Sequence, residues 1–415
     1  MATRSYWIET LGCPKNQVDS DKLVGTLEGD GMQRAASADA ADLVVVNTCA
    51  FVEAARQESI DTVLALTDGK RADARLVVTG CMAERYGDEL AAALPEVDLV
   101  AGFGVPVTLG RRQEQVPSLD LLNLPRPKAS APWAYVKIAE GCDRTCGFCA
   151  IPSFRGPQRS RTVESILAEV DALEAQEIVL VAQDLASYGK DMPELGAGSI
   201  VPLVEQVAAK VPRTRLLYLY PSDLTDALIE AVGATGVPYF DLSLQHVSKP
   251  LLRRMRRWGD GERFLARIGD IRRRHPDAAF RSNFIVGYPG ETEDDHDALL
   301  AFVEAAQLDW CGFFSFSPED GTHATTLDGE VPAKLVDERL AELSELQDGI
   351  TARRREALIG RTVQVLVDAP GIARSHREAP EIDGIVRVPV SLPAGSFADV
   401  VVTGAAGPDL EAELA

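Results

Sequence analysis

The stretch Glu140-Gly141-Cys142-Asp143-Arg144-Thr145-Cys146-Gly147-Phe148-Cys149 sets the fold class of this chain. Its three cysteines stand at C-x3-C-x2-C spacing, directly after an apolar run at 134–139 that reads as a strand. Folds of parallel strands and helices build their sites on loops at the carboxyl ends of strands. Three thiolates suit a cubane iron–sulfur cluster that leaves one iron without a protein ligand. A structural zinc site wants four ligands, and no fourth Cys or His lies nearby. A chance group of buried cysteines is the bland alternative, and the tight spacing speaks against it.

Working downstream, apolar runs at 177–182, 215–220, 239–244, 280–286 and 311–316 read as further strands. Helical segments such as 163–175 and 294–306 lie between them. Six β/α units are too few for a closed eight-unit barrel, so an open partial barrel is expected. A charged amphipathic helix at 333–357 follows, then a tail whose runs at 361–367 and 398–402 suggest a small β-barrel. Upstream, strands at 6–11, 43–46, 76–78 and 97–100 alternate with helices at 19–27, 54–66 and 83–93, the pattern of a doubly wound parallel sheet. Between 103 and 132 the prolines Pro106, Pro117, Pro125, Pro127 and Pro132 break every period. The expected division is thus a doubly wound α/β domain at 1–102, a linker at 103–132, a partial (β/α)6 barrel at 133–358 and a β-barrel at 359–415.

The remaining cysteines add a second pattern. Cys13, Cys49 and Cys81 each close an expected strand, in Thr10-Leu11-Gly12-Cys13, Val46-Asn47-Thr48-Cys49 and Val78-Thr79-Gly80-Cys81. In an open parallel sheet those ends share one edge, so three distant cysteines converge. Gly12 and Gly80 let the backbone come close. Three small buried hydrophobes would be the plain reading. The same placement three times over favours a second three-thiolate cluster. Cys311, the seventh cysteine, lies among aromatics and reads as a core thiol.

Composition narrows the function. An odd cysteine count in a chain without a leader-like N-terminus argues against a disulfide framework and for a cytoplasmic protein. No apolar run is long enough to span a membrane. The formal net charge of −21 is unlike that of a protein whose task is gripping phosphate, and suits a basic protein partner.

The C-x3-C-x2-C loop, with Phe148 before its last cysteine, resembles the signature of the radical S-adenosylmethionine (SAM) superfamily. That resemblance implies SAM chelated to the open iron and cleaved reductively to a 5′-deoxyadenosyl radical. With the second triad, the whole chain resembles the methylthiotransferase family, which joins an N-terminal cluster domain, a radical SAM domain and a TRAM-type β-barrel. Leu11-Gly12-Cys13-Pro14-Lys15-Asn16-Gln17-Val18-Asp19-Ser20, Leu244-Gln245-His246 and Ala379-Pro380-Glu381-Ile382-Asp383-Gly384 are similar to the ribosomal-protein branch of that family. The tRNA branch usually reads Gly-Cys-Gln-Met-Asn at the first. The resemblance implies two [4Fe-4S] clusters, SAM, an external electron donor, and methylthiolation of an aspartate β-carbon in small-subunit ribosomal protein twelve, alone or on the ribosome. Charge agrees: the tail from 357 holds four basic residues against eight acidic ones, which suits a basic protein better than RNA. The alternatives are a tRNA methylthiotransferase and a two-cluster electron carrier without catalysis.

Other residues fall at the expected barrel mouth. Gln183-Asp184 and Ser222-Asp223 follow strands, as helix caps or as contacts with SAM or substrate. Val286 and Gly287 of Ile285-Val286-Gly287-Tyr288-Pro289-Gly290-Glu291 are expected beside SAM, and Gln245 and His246 near substrate. Arg281, inside a strand, needs an anion, either the SAM carboxylate or an internal partner. The run Arg253-Arg254-Met255-Arg256-Arg257 reads as a solvated helix face, and offers the chain's best case for RNA.

Overall fold

The computed structural model describes residues 4–107, 120–194 and 199–415. The linker segment 108–119, with Pro117, and the N-terminal residues 1–3 lie outside the described residues. The chain divides into two compact units. One takes in the chain up to Lys128 with Lys137–Arg144 and Cys149–Ala172; the other holds Ala129–Val136, Thr145–Phe148 and Leu173–Ala415.

The first unit is built on a parallel sheet of β1 (Ser5–Thr10), β2 (Gln33–Arg34), β3 (Leu43–Thr48), β4 (Arg75–Gly80) and β5 (Leu99–Ala101), in the order β2-β1-β3-β4-β5. Every residue of β3 is buried, as a central parallel strand covered on both faces requires. Alternate side chains divide between two cores. Val44, Val46, Leu76 and Val78 face Val63, Met82 and Leu90 of the helices α2 (Glu53–Gly69) and α3 (Cys81–Ala93). Leu43, Val45 and Val77 face Leu23 and Leu27 of α1 (Pro14–Gly29). Helices on both faces make the sheet doubly wound, as expected. The two-residue edge strand β2 is too short to show in the sequence pattern.

In the second unit, β6 (Trp133–Lys137), β7 (Glu177–Val181) and β8 (Arg213–Leu216) form one sheet, and β9 (Tyr239–Gln245), β10 (Ala279–Val286) and β11 (Trp310–Ser315) another. A single parallel bridge, Leu219 to Leu242, joins them, so the six strands run in chain order. The third strand stops four residues short of its expected end at 220 because Tyr218 turns left-handed at φ 66°. Asp241 secures that break, its carboxylate accepting from the Tyr218 N–H at 2.9 Å. Last come a helix, Ala333–Glu356, and a closed barrel of β12 (Thr362–Ala369), β13 (Ile372–Arg374), β14 (Val386–Arg387), β15 (Phe397–Ala406) and β16 (Asp409–Leu414).

Within this unit the barrel is locked to the beginnings of the central strands. Glu177, the first residue of β7, accepts from Arg215 at 2.7 Å and Arg374 at 3.1 Å. Burial alone would raise the Glu177 carboxyl, but Arg215 and Arg374 outweigh it and bring it down to about 2. Arg213, opening β8, donates to the Arg374 and Gln364 carbonyls, both at 3.0 Å. Tyr239, opening β9, donates to Asp383 at 2.6 Å, and Trp310, opening β11, to the Arg377 carbonyl at 2.7 Å. Buried polar groups survive only when paired in this way.

Candidate functional site

Each of the three N-terminal cysteines follows a strand of the first unit, and the sheet gathers them. Cys13 caps α1, Cys49 follows β3, and Cys81 opens α3. Gly12 (φ 94°) allows the approach: a Cβ there would stand 2.9 Å from the Cys49 sulfur. Gly80 (φ 91°) is equally obligatory, since a Cβ would meet the Asn47 Oδ1 at 2.2 Å. Asn16 ties the strand ends together. Its Nδ2 donates to the Leu11 and Thr48 carbonyls at 2.9 and 3.0 Å, and its Oδ1 accepts from the Cys81 thiol at 3.5 Å and Arg155 at 2.9 Å.

The thiols interact. Burial raises Cys13, yet Lys15 and Arg155 outweigh it and leave this thiol below its ordinary value. Burial pushes Cys49 up to about 12, with Cys13 and Cys81 adding to the rise. Cys81 is raised by burial, with Arg155 working against it. An electron-poor metal replaces such protons, and the charges of Lys15 and Arg155 help hold the resulting thiolates. Among the described residues no group of three His, Cys, Asp or Glu is gathered tightly enough for a single ion. A cubane, whose thiolates bind different irons, needs a wider triangle, and an electrostatically coupled all-sulfur set fits it.

The residues of the C-x3-C-x2-C loop are divided between the two units, Cys142 and Cys149 in the first and Cys146 in the second. In the first, Gly141 (φ 78°) fits closely under Pro157, and the Cys142 N–H donates to the Gly156 carbonyl at 3.1 Å. Glu140 accepts from Arg155 and Lys137, both at 2.8 Å. Burial would raise this carboxyl, but the two cations hold it well below the carboxylate range. In the second unit, Gly147 is strapped on both sides: its N–H donates to the Met255 carbonyl at 2.8 Å, and its carbonyl accepts from the Ala324 N–H at 2.7 Å. The Cys146 sulfur accepts from Arg257 Nη1 at 3.3 Å, while Arg257 lies 4.2 Å over the Tyr220 ring and donates to the Ser243 carbonyl.

The remaining expected residues divide. Asp184 is buried after β7 and accepts from the Ser187 hydroxyl at 2.7 Å, a local turn; Gln183 precedes it. Val286 is fully buried at the end of β10. Gly287 (φ 82°) donates to Glu291 at 2.5 Å, and a Cβ on it would come within 2.5 Å of Val336. Gln245 (φ 69°) ends β9 after a break in register. His246 is fully buried, its Nδ1 accepting from the Ser248 N–H at 3.1 Å. Arg281 is the correction. It lies near the beginning of β10, five residues before the strand's carboxyl end, and pairs with Asp241 at 3.5 Å and Asp383 at 3.4 Å. Its anions are internal ones. The basic run is also less free than the sequence suggests, since Arg254 donates to the Pro289 and Asp328 carbonyls at 3.0 and 2.8 Å and Arg257 serves Cys146. Sequence reasoning missed Arg155, Asn16 and Arg257 as partners of cysteines. Asn16 alone carried a signal, three residues after Cys13.

The fold and the three-cysteine loop define a radical SAM enzyme. The Radical SAM superfamily model matches residues 136–303, Uncharacterized protein family UPF0004 residues 5–102 and the TRAM domain residues 359–415. Among solved structures, the radical S-adenosylmethionine methyltransferase TsrM from Kitasatospora setae shares the fold, with TM-score 0.51 and 14% identity over 76% of this chain and 74% of that one. So does the cobalamin-dependent radical enzyme OxsB, with TM-score 0.51 and 11% identity over 84% of this chain and 56% of that one. "Ribosomal protein uS12 methylthiotransferase RimO" of Kineococcus radiotolerans is 42% identical over 99% of this chain and 97% of its own length. Those of Moorella thermoacetica (42%, covering 95% of each chain) and Streptomyces coelicolor (39%, covering 99% and 97%) are similarly related. The chain belongs to the RimO family of methylthiotransferases. As a radical SAM transferase it uses a [4Fe-4S] cluster and SAM, and enzyme membership sets the pure electron carrier aside.

Proposed function

We propose that this chain replaces a hydrogen on the β-carbon of an aspartate in ribosomal protein uS12 with a methylthio group, in the cytoplasm, using two [4Fe-4S] clusters and an external electron donor. The observation that carries the reading is the gathering of Cys13, Cys49 and Cys81 at one edge of the first sheet, beside Lys15 and Arg155. These three would hold the second cluster, at which the sulfur to be transferred would be carried. Cys142, Cys146 and Cys149 would hold the first, which with SAM supplies the radical that takes the hydrogen. One SAM would give its methyl group to the transferred sulfur and a second would yield the radical, so S-adenosylhomocysteine, methionine and 5′-deoxyadenosine are the expected by-products.

The protein's own part is to position and to exclude. The straps on Gly147 fix the loop that presents Cys146, and the Arg257 guanidinium places a charge at its sulfur. Phe148, Gln183, Asp184, Val286 and Gly287 are assigned to SAM, and Gln245 and the neutral His246 to the substrate side. Arg281 is withdrawn from the SAM group because Asp241 and Asp383 hold it. Residues 1–102 would act as the sulfur-transfer domain, with 103–132 as linker, 133–358 as the SAM domain and 359–415 as a barrel whose acidic surface suits a basic ribosomal protein. Two of the four arginines of the basic run have internal tasks, which weakens the tRNA reading.

The test is anaerobic reconstitution with SAM, sulfide and reductant, with uS12 and bulk tRNA offered separately and read by mass spectrometry. A methylthio gain on an aspartate-containing uS12 peptide is expected. Gain on tRNA alone would move the chain to the other branch.

A further inference from the structure

The chemistry proposed above uses Arg155 only as a charge beside the thiolates and gives no task to the polar cluster that fixes it. This side chain ends a five-residue helix, Ile151–Arg155, and its residue is only 9% exposed. Its guanidinium lies 4.6 Å from the centre of the Phe103 ring. Nη1 donates to Glu140 at 2.8 Å and Asp19 at 3.3 Å. Nη2 donates to the Asn16 Oδ1 and to the Cys81 sulfur, both at 2.9 Å. Lys137 meets the same two carboxylates, reaching Glu140 at 2.8 Å. Two acids thus fix the fork, and Nη2, which also reaches Asp19 at 3.4 Å, makes its shorter contacts with Asn16 and the sulfur.

Arginine keeps its charge in any protein, and its planar fork cannot serve one partner without orienting the other. A hydrogen bond to a cluster thiolate stabilises the extra electron of the reduced state, more strongly where water is excluded. Such a donor raises the reduction potential. We propose that Arg155 is a positioning residue that orients the Cys81 thiolate and sets the reduction potential of the cluster held by Cys13, Cys49 and Cys81. Because Glu140 stands two residues before Cys142, the same guanidinium also pins the start of the other cysteine loop. The inference rests on the second cluster of the proposed function.

The experiment is a potentiometric titration of the anaerobically reconstituted full chain, followed by electron paramagnetic resonance. Two backgrounds isolate the clusters: one lacking Cys142, Cys146 and Cys149, the other lacking Cys13, Cys49 and Cys81. In the first background, R155Q should lower the midpoint so that the ratio of reduced to oxidised cluster at the unsubstituted protein's midpoint falls about tenfold, about 59 mV for a one-electron couple. R155K should lower it less. In the second background R155Q should leave the midpoint where it was. A midpoint that stays put in R155K and R155Q proteins with full iron content overturns the proposal, as does an equal shift of both clusters. Should R155Q fail to load iron, R155K decides. If the first background never binds iron even with Arg155 in place, the two-cluster reading itself fails, which is a separate result.

Discussion

At the scale of single residues, the two sets of cysteines separate two halves of one reaction. Cys81→Ala should leave about half the bound iron and preserve SAM cleavage while abolishing methylthio transfer. Cys146→Ala should abolish SAM cleavage as well. Iron analysis and 5′-deoxyadenosine release distinguish the two, and loss of cleavage in Cys81→Ala would contradict the assignment. His246 gives a second prediction. Burial brings it down to about 4, with Asp295 opposing and His296 and Arg339 adding to the fall. The unfolded chain takes up this proton near pH 6.5, before the folded one does. The stability due to neutral His246 is therefore complete above about pH 6.5 and is lost as the pH falls towards 4, by no more than about 1.4 kcal/mol per unit. Urea midpoints at pH 7.5 and pH 5 should lie closer together in His246→Gln than in the unsubstituted protein.

At the scale of elements, the strand-to-helix turns carry the site, and glycine makes them possible. Gly80→Ala sets a Cβ 2.2 Å from Asn47 Oδ1 at a left-handed φ, so a loss of at least about 2 kcal/mol is expected, with poor iron retention by the first unit. Gly147→Ala would press on the Tyr288 hydroxyl at 2.9 Å and, less closely, on the Arg254 carbonyl at 3.2 Å, and should weaken SAM cleavage more than stability, since the closest atom is a side-chain tip. Calorimetry beside a cleavage assay separates the two effects; an undisturbed cleavage rate in Gly147→Ala would remove the strap from the mechanism. The strands themselves were legible, because β3 and β4 each hold an unbroken apolar run, at 43–46 and 76–78, and each is followed directly by its cysteine. The end of β8 was not, because Leu216 through Tyr220 continue to look like a strand while Tyr218 adopts a conformation its composition does not announce. Arg155 and Arg257 escaped notice for another reason. Each reaches its cysteine, Cys81 or Cys146, across 74 or 111 residues, and such pairings arise only when the sheet has formed. Arg281 was ambiguous until its height along β10 was known.

At the scale of the molecule, the second unit depends on ions that water does not reach. Glu177 and Glu378 are both brought down to about 2; burial opposes this, and the neighbouring arginines, with Ser375 assisting at Glu378, prevail. Carboxyls depressed in this way contribute stability above their unfolded value near 4.5, and lose it as the pH falls from there to about 2. Glu177→Gln should be weaker at neutral pH, because Arg215 and Arg374 lose their anion, yet show a shallower decline in acid. Denaturant midpoints between pH 6 and pH 3 would reveal it, and parallel curves for the two proteins would speak against a buried pair. The barrel region takes part in this network through Arg374 and Asp383, which the first side chains of central strands grip, and through Glu378, which Arg355 of the helix Ala333–Glu356 grips. Cutting the chain after residue 358 should therefore take Arg374 from Glu177, leave the Tyr239 hydroxyl and the Trp310 N–H without their acceptors, Asp383 and the Arg377 carbonyl, and yield aggregates rather than a working core. Inheritance feels the same constraint. A barrel transplanted from elsewhere would fit this lock only if it brought the same teeth, an arginine where Arg374 meets Glu177 and an aspartate where Asp383 meets Tyr239.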